Sequence, residues 1–263
     1  MYILLFDIGN TSIKIGLDYK AEIKFSINLP TKVENTVDSF GFLLDTFLKK
    51  SQVTPNDIEA CVVSSVVPSF DGILKESIIK YIGSNIYFVP EDISVPMKNH
   101  YSRPFEVGTD RLVAAFAARR KFSDYDSVII VDFGTAVTFD CVSKEAYLGG
   151  LIFPGPNTAI NALSNATAKL PYVNLQVDSN KMEIGKDTTT SIKHGVIFGF
   201  ISLVEGLIER LKNDFMPNAL IVGTGNFVND INKINTVFDK ISRNLVLEGL
   251  SILYYEYIGK KKV

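Results

Sequence analysis

Twice in this sequence an apolar run ends in an aspartate followed by a glycine turn. Residues 2–6 lead into Asp7-Ile8-Gly9-Asn10-Thr11, and residues 127–131 lead into Asp132-Phe133-Gly134-Thr135. Such a turn suits phosphate chemistry. Gly9 lets backbone approach a ligand closely. Backbone N–H groups and short polar side chains can then hold phosphate oxygens while Asp7 faces a metal ion. The same loop also suits an ordinary hairpin in which Asp and Asn satisfy local backbone groups. A third turn, Gly223-Thr224-Gly225-Asn226, ends another apolar run. In open α/β sheets ligands lie beyond the carboxyl ends of strands, so three glycine turns at strand ends point to a nucleotide. The chain has neither a Walker sequence nor a G-x-G-x-x-G after its first strand, which excludes a P-loop and a dinucleotide fingerprint.

A fourth constellation is Gly108-Thr109-Asp110-Arg111. It opens a helix, where a carboxylate is favourable through the helix dipole alone. A cation beside an acid in a glycine turn is also a fair anion site. Asp132 can likewise satisfy the turn it opens. His100 and His194 have no partner in the sequence and are assigned no role.

These residues need elements to hold them. Residues 2–8 and 12–16 read as strand, turn and strand, and residues 22–29 as a third strand. Val37, Phe40, Leu44, Phe47 and Leu48 predict an amphipathic helix over 36–50. The β-branched run 58–67 predicts a buried strand that runs into Ser64-Ser65 and stops at Pro68. A helix at about 70–82 and a strand at 86–89 follow. Residues 90–104, with three prolines, read as a long loop of the kind that carries function. Leu112, Val113, Phe116 and Ala117 mark the next helix. The second half repeats the opening: strand, Asp, apolar residue, Gly and a polar residue at 129–135. It continues with a glycine-punctuated strand at 147–155, helices at 157–168 and 189–214, a strand at 220–226 and a helix at 245–258. Thr188, Thr189, Thr190 and Ser191 supply cap residues for the long helix. The recurrence predicts two similar α/β halves, 1–121 and 122–263, each opening with a hairpin whose turn faces a cleft between them. Coincidence between two short hairpins is the alternative.

The chain's 263 residues permit a sizeable core in one large domain or two ordinary ones. With 46% hydrophobic and 21% charged residues it is globular and not disordered. A net charge of −2 gives no reason to expect nucleic acid or an anionic membrane as partner. Cys61 and Cys141 sit in apolar runs without metal-ligand spacing, as buried thiols of a reducing compartment do. The N-terminus lacks the basic segment of a signal peptide. The apolar run 195–204 is interrupted by Glu205 and is too short to span a bilayer. A cytoplasmic protein is expected.

Six stretches, in order and spacing, resemble type III pantothenate kinase: Asp7-Ile8-Gly9-Asn10-Thr11, Ser64-Ser65-Val66-Val67-Pro68, Gly108-Thr109-Asp110-Arg111, Asp132-Phe133-Gly134-Thr135, Gly149-Gly150 to Pro154-Gly155, and Leu247-Glu248-Gly249-Leu250. Tyr101 through Gly108 and Ala162-Leu163 through Pro171 are the most family-specific parts. The resemblance covers essentially the whole chain. It implies two ribonuclease-H-like halves of the acetate and sugar kinase/actin-like ATPase fold, with ATP in the cleft, and phosphorylation of pantothenate on its primary hydroxyl, the first step towards coenzyme A.

The same resemblance implies site roles. Asp7 would organise Mg2+ through its waters. The loop Asp7, Ile8, Gly9, Asn10, Thr11, Ser12, Ile13 and Lys14 would bind ATP, and Thr135 would contact it. Asp110 would be the general base. Tyr101, Gly108, Thr109, Asp110, Arg111 and Thr188 would hold pantothenate. Asp132 would bind a monovalent cation, K+ or NH4+. It further implies a homodimer with the substrate pocket near the interface. The sequence departs from the family at Gly223-Thr224-Gly225, where Thr-Gly-Gly is usual. Thr224 thus brings a β-branched side chain to where adenosine would approach. Thr109 stands where an apolar residue is commoner. A regulator on the same scaffold has no need of Asp7, Asp110 and Asp132 together. An actin-like or chaperone ATPase would need longer insertions than 263 residues allow.

Overall fold

Leu4, Phe6 and Ile8 alternate with residues of the opposite face and are buried with Ile13, Ile15 and Leu17, so the opening hairpin gives one face to a core. The architecture is described from a computed structural model that covers residues 1–31, 35–176, 181–234 and 237–261. Elements are numbered along the chain. β1 (Tyr2–Ile8) pairs antiparallel with β2 (Ser12–Asp18), and β2 with β3 (Ile23–Pro30). β4 (Ile58–Ser65) runs parallel to β1 on its other side, and β5 (Asn85–Val89) parallel to β4. The order is β3-β2-β1-β4-β5. Helices α1 (Val37–Lys50) and α2 (Pro68–Tyr81) cover the Phe6 face through Phe40, Leu44, Phe70, Leu74 and Ile78. Thr36 and Ser39 cap α1 reciprocally, each side chain accepting the other's backbone N–H.

The other face of this sheet carries α7 (Leu245–Lys261), and α3 (Thr109–Lys121) packs against α7. Two glycines let them in. A Cβ on Gly16 would lie 2.8 Å from Leu247 Cδ1, and one on Gly249 would lie 2.6 Å from the Val113 carbonyl oxygen. Polar bonds fix α7 along β2. The fully buried Asp18 accepts from Ser251 Oγ at 2.9 Å, Tyr255 OH at 3.0 Å and the Ala21 N–H at 3.1 Å. Arg120 donates to both carboxylate oxygens of Glu256, at 2.6 and 3.1 Å.

A second sheet contains β7 (Ser127–Phe133), β8 (Ala136–Ser143) and β9 (Ala146–Pro154) in antiparallel succession. β10 (Leu220–Gly225) runs parallel to β7, and the two-residue β11 (Lys240–Ile241) parallel to β10. The order β9-β8-β7-β10-β11 repeats that of the first sheet, with the short β6 (Lys98–Asn99) added beyond β9. α4 (Pro156–Ala166), α5 (Thr188–Asp214) and α6 (Val228–Ile234) accompany it, and Ile160, Phe200, Val204, Ile208 and Val228 share a core with Ile129, Val131 and Phe139. The duplicated strand order matches the expected ribonuclease-H-like halves.

The two compact units do not divide at a single point. The chain crosses between them at Arg120 and Lys121, but the residues from Leu245 onward join the first unit and Lys98–Tyr101 joins the second. The contiguous division 1–121 and 122–263 is amended on both counts. α7 has its glycine and Asp18 contacts on the first sheet, and β6 pairs with β9. The loop 90–104 therefore contains a strand, and β4 ends at Ser65, two residues short of the expected 67. α6, β6 and β11 were not foreseen, because seven and two residues carry no readable period.

Candidate active site

In the first unit the turn after β1 is closed by backbone. Gly9 N–H donates to the Ser12 carbonyl at 3.0 Å, and a Cβ on Gly9 would lie 3.1 Å from that oxygen. The end of β3 holds the turn from outside: Thr31 Oγ1 donates to the Gly9 carbonyl at 2.7 Å, and its N–H to the Thr11 carbonyl at 3.0 Å. Asn10 and Thr11 are exposed, whereas Ile8 and Ile13 are buried. Asp7 is half-buried and stands in register between Lys14 on β2 and Ser64 on β4.

The start of α3 reaches the same end of this sheet. Val66 N–H donates to the Ile8 carbonyl at 3.0 Å, and a Cβ on Gly108 would lie 3.6 Å from Val66 Cγ1. It would also lie 2.5 Å from Asp110 Oδ1, so a side chain at 108 would displace the carboxylate from its place over the first turn. There Oδ1 accepts the Arg111 N–H at 2.8 Å. Asp110 thus favours its own helix end, as position alone foretold. It remains half-buried, as do Thr109 and Arg111. The structure brings Asp7, residues 9–14 and residues 108–111 to one end of one sheet.

In the second unit the turn after β7 is built the same way. Gly134 N–H donates to the Ala136 carbonyl at 2.9 Å, while Gly155 N–H and Thr158 Oγ1 donate to the Thr135 carbonyl at 2.9 and 2.6 Å. Thr135 is exposed. Gly225, at φ +89°, is pressed against Asp132: a Cβ would lie 2.4 Å from Asp132 Oδ1 and 2.6 Å from the Phe133 carbonyl oxygen. Thr224 is not a loop residue. It is buried on β10 beside Asp132, so its side chain does not project from the glycine turn.

Tyr101 joins a different part of this unit. Its N–H donates to Asn99 Oδ1 at 3.0 Å and its ring sits 6.3 Å from that of Tyr147, 3.7 Å from where a Gly149 Cβ would be. Tyr147 is anchored beneath it, donating to the buried Asp140 at 2.8 Å, and Thr138 donates to the same carboxylate at 2.9 Å. No reading of the sequence singled out Asp140 or Tyr147, because a buried Asp–Tyr pair has no local signature. Thr188 is the exposed first residue of α5 and not its cap. The cap is Asp187, which accepts from Thr190 N–H at 2.9 Å and Thr190 Oγ1 at 2.8 Å. Those bonds hold the Asp187 carboxyl below its ordinary range, the backbone bond foremost.

Known proteins resemble this chain over most of its length. The type III pantothenate kinase family model matches residues 3–210. The type III pantothenate kinase of Desulfovibrio desulfuricans is 51% identical over 254 residues, 97% of each chain. Among solved structures, the activator of 2-hydroxyisocaproyl-CoA dehydratase from Clostridium difficile, with bound ADPNP, aligns with TM-score 0.55 at 12% identity, covering 100% of this chain and 98% of that one. The ROK hexokinase of Thermus thermophilus aligns with TM-score 0.50 at 12% identity, covering 98% and 100%. At such identities these structures bear on fold alone, and the fold is that of the actin-like ATPases and sugar kinases. With two glycine-turn aspartates on duplicated sheets and a full-length relative at 51% identity, the chain belongs to the type III pantothenate kinase family.

Proposed function

We propose that this chain carries out the reaction of its family, the ATP-dependent phosphorylation of pantothenate towards coenzyme A, with Asp110 as the general base. The reaction follows from the family match over residues 3–210, and that match is the observation that carries the reading. Membership implies ATP as co-substrate and a divalent metal. Phosphoryl transfer asks a protein mainly for positioning and charge neutralisation.

The residue roles are our assignment. Gly9, Asn10, Thr11, Ser12 and Lys14 hold the ATP phosphates, supported by the closed backbone of their turn and the exposure of Asn10 and Thr11. Asp7 is the carboxylate on the metal side. Mg2+ fits such a site: it prefers oxygen donors, keeps several waters and uses one or two carboxylates with substrate phosphates. Asp110 takes the proton of the pantothenate hydroxyl, and Arg111 supplies the cation that pairs with an anionic substrate. Tyr101, Gly108, Thr109 and Thr188 complete the pantothenate contacts. Asp132 and the Phe133 carbonyl, converging on Gly225, supply the oxygens for K+ or NH4+. Thr135 contacts ATP.

A homodimer is supported by α5, of whose most apolar 18-residue window 33% is buried within the chain. Gly195, Gly199 and Gly206 face open space along it. α5 is the one helix among the described residues long and apolar enough to cross a membrane, but Ile197, Phe200, Ile201, Val204 and Ile208 pack in a core. A cytoplasmic location is supported by the buried thiols of Cys61 and Cys141, which form no disulfide. The test is a pantothenate phosphorylation assay with Mg-ATP, with and without potassium or ammonium. Turnover that needs either ion is expected, and no turnover at high ATP with both would overturn the reading.

A further inference from the structure

Ser64 presents a hydroxyl that is fully buried and has no hydrogen-bond partner among the described residues. Left so, it weakens the fold that encloses it, and a native structure retains such a group for a reason. Its neighbour shows the alternative: Ser65 Oγ accepts the Val67 N–H at 3.1 Å. On β1 and β4 the residues facing α1 and α2 are Leu4, Phe6, Ile8, Cys61 and Val63. Asp7 and Ser64 therefore point to the opposite face. They are register partners on adjacent parallel strands, which lie about 4.8 Å apart. The second unit repeats the pairing. Thr224, 3% exposed, is the register partner of Asp132 on the corresponding strands. Each unit thus sets a buried hydroxyl residue beside its turn carboxylate.

We propose that Ser64 is a positioning residue for metal-dependent nucleotide binding. In the loaded site its hydroxyl donates to the Asp7 carboxylate and fixes the orientation in which that group faces the divalent metal and its waters. Closed off from solvent, the hydroxyl acts through Asp7 and touches neither nucleotide nor pantothenate. A carboxylate that accepts a bond on its inner side keeps its remaining lone pairs aimed outward, and removing such an outer partner typically weakens metal binding or activity about 10–100-fold. The inference rests on the reading of Asp7 as the metal-side carboxylate.

The experiment compares wild type, Ser64→Ala, Ser64→Cys and Asp7→Asn by thermal melting, first without ligand and then with ATP across a Mg2+ titration, alongside steady-state kinetics. Ser64→Ala breaks no bond in the ligand-free protein, so its melting temperature is expected to equal or exceed that of wild type. The Mg2+ concentration for half-maximal ATP stabilisation rises about tenfold or more, and the KM for pantothenate is unchanged. Ser64→Cys, which keeps the volume with a poor donor, follows Ser64→Ala. A wild-type Mg2+ titration in Ser64→Ala would overturn the proposal. So would a ligand-free melting temperature that falls in Ser64→Ala and recovers in Ser64→Cys, since Ser64 would then only fill space. If Asp7→Asn leaves the titration unchanged, the reading of Asp7 fails and the proposal with it. If Asp7→Asn shifts it and Ser64→Ala does not, the proposal alone fails.

Discussion

Asp110 has two tasks that one substitution separates. Its Oδ1 accepts the Arg111 N–H, and in the role we propose the carboxylate takes a proton. Asp110→Asn keeps the shape and an acceptor for that bond but has no basic oxygen. A general base contributes about 10²–10⁴-fold, so kcat is expected to fall by that factor while the melting temperature stays near wild type. A stopped assay and a melting curve on the same sample check both, and near wild-type turnover removes Asp110 from the role. At this scale the sequence was informative where chemistry and chain geometry coincide: an apolar run ending in Asp and Gly reads as a strand entering a turn. It placed Ser64 at the end of a buried strand but gave it no role, since nothing local distinguishes a buried hydroxyl from a solvated one. It misled at Thr224, because a glycine on either side suggested a loop. In the structure β10 runs on to Gly225, and the positive φ there supplies the turn.

Among elements, α7 is tied to β2 through Asp18, which accepts from Ser251 and Tyr255. Burial, and then the charge of Asp18, raise the Tyr255 phenol from its ordinary 10.0 to about 12. The folded state thus holds the phenolic proton more tightly than the unfolded chain. The stabilisation is complete below pH 10 and is lost as pH rises towards about 12. Tyr255→Phe removes one donor from a buried carboxylate that keeps two others. It is expected to cost about 1–2 kcal/mol at neutral pH and to flatten the loss of stability across that alkaline window. Denaturant melts at neutral and alkaline pH measure both effects. At the start of α5 the sign is reversed. The Asp187 carboxyl is held low, so its cap is present at neutral pH and fades below the ordinary carboxylate range. Asp187→Ala is expected to speed hydrogen exchange at the Thr190 amide and, by loosening Thr188, to raise the KM for pantothenate without a matching loss of kcat. The existence of α1, α5 and α7 was legible from apolar spacing and caps. The sheet on which α7 packs was not, because that choice lies in Gly16, Gly249 and Asp18, far apart in sequence.

For the molecule as a whole, the recurrence of one strand order in both sheets agrees with the likeness between residues 2–9 and 127–134. Duplication was readable because each copy kept its turn. What each copy gained afterwards was not, such as β6 at the edge of the second sheet. The open glycine face of α5 bears on assembly. Light scattering is expected to report a dimer at micromolar concentration. Gly199→Glu puts a charge on that face, where a Cβ meets nothing within 4 Å of the folded chain. It is therefore expected to yield a folded monomer with impaired pantothenate turnover, and a dimer that survives the substitution would place the interface elsewhere.

The return of α7 to the first sheet also orders events during translation. Residues 1–97 can assemble five strands and two helices early, but the face bearing Gly16 and Asp18 stays uncovered until Leu245–Lys261 has been synthesised. The second unit is nearly contiguous and has its strands available before then. The first sheet to leave the ribosome is thus the last to close, and it waits with a buried-type aspartate and an apolar surface exposed. That is the kind of intermediate chaperones retain. A nascent chain arrested before Leu245 should therefore be sensitive to protease in its N-terminal half while its later half is already protected.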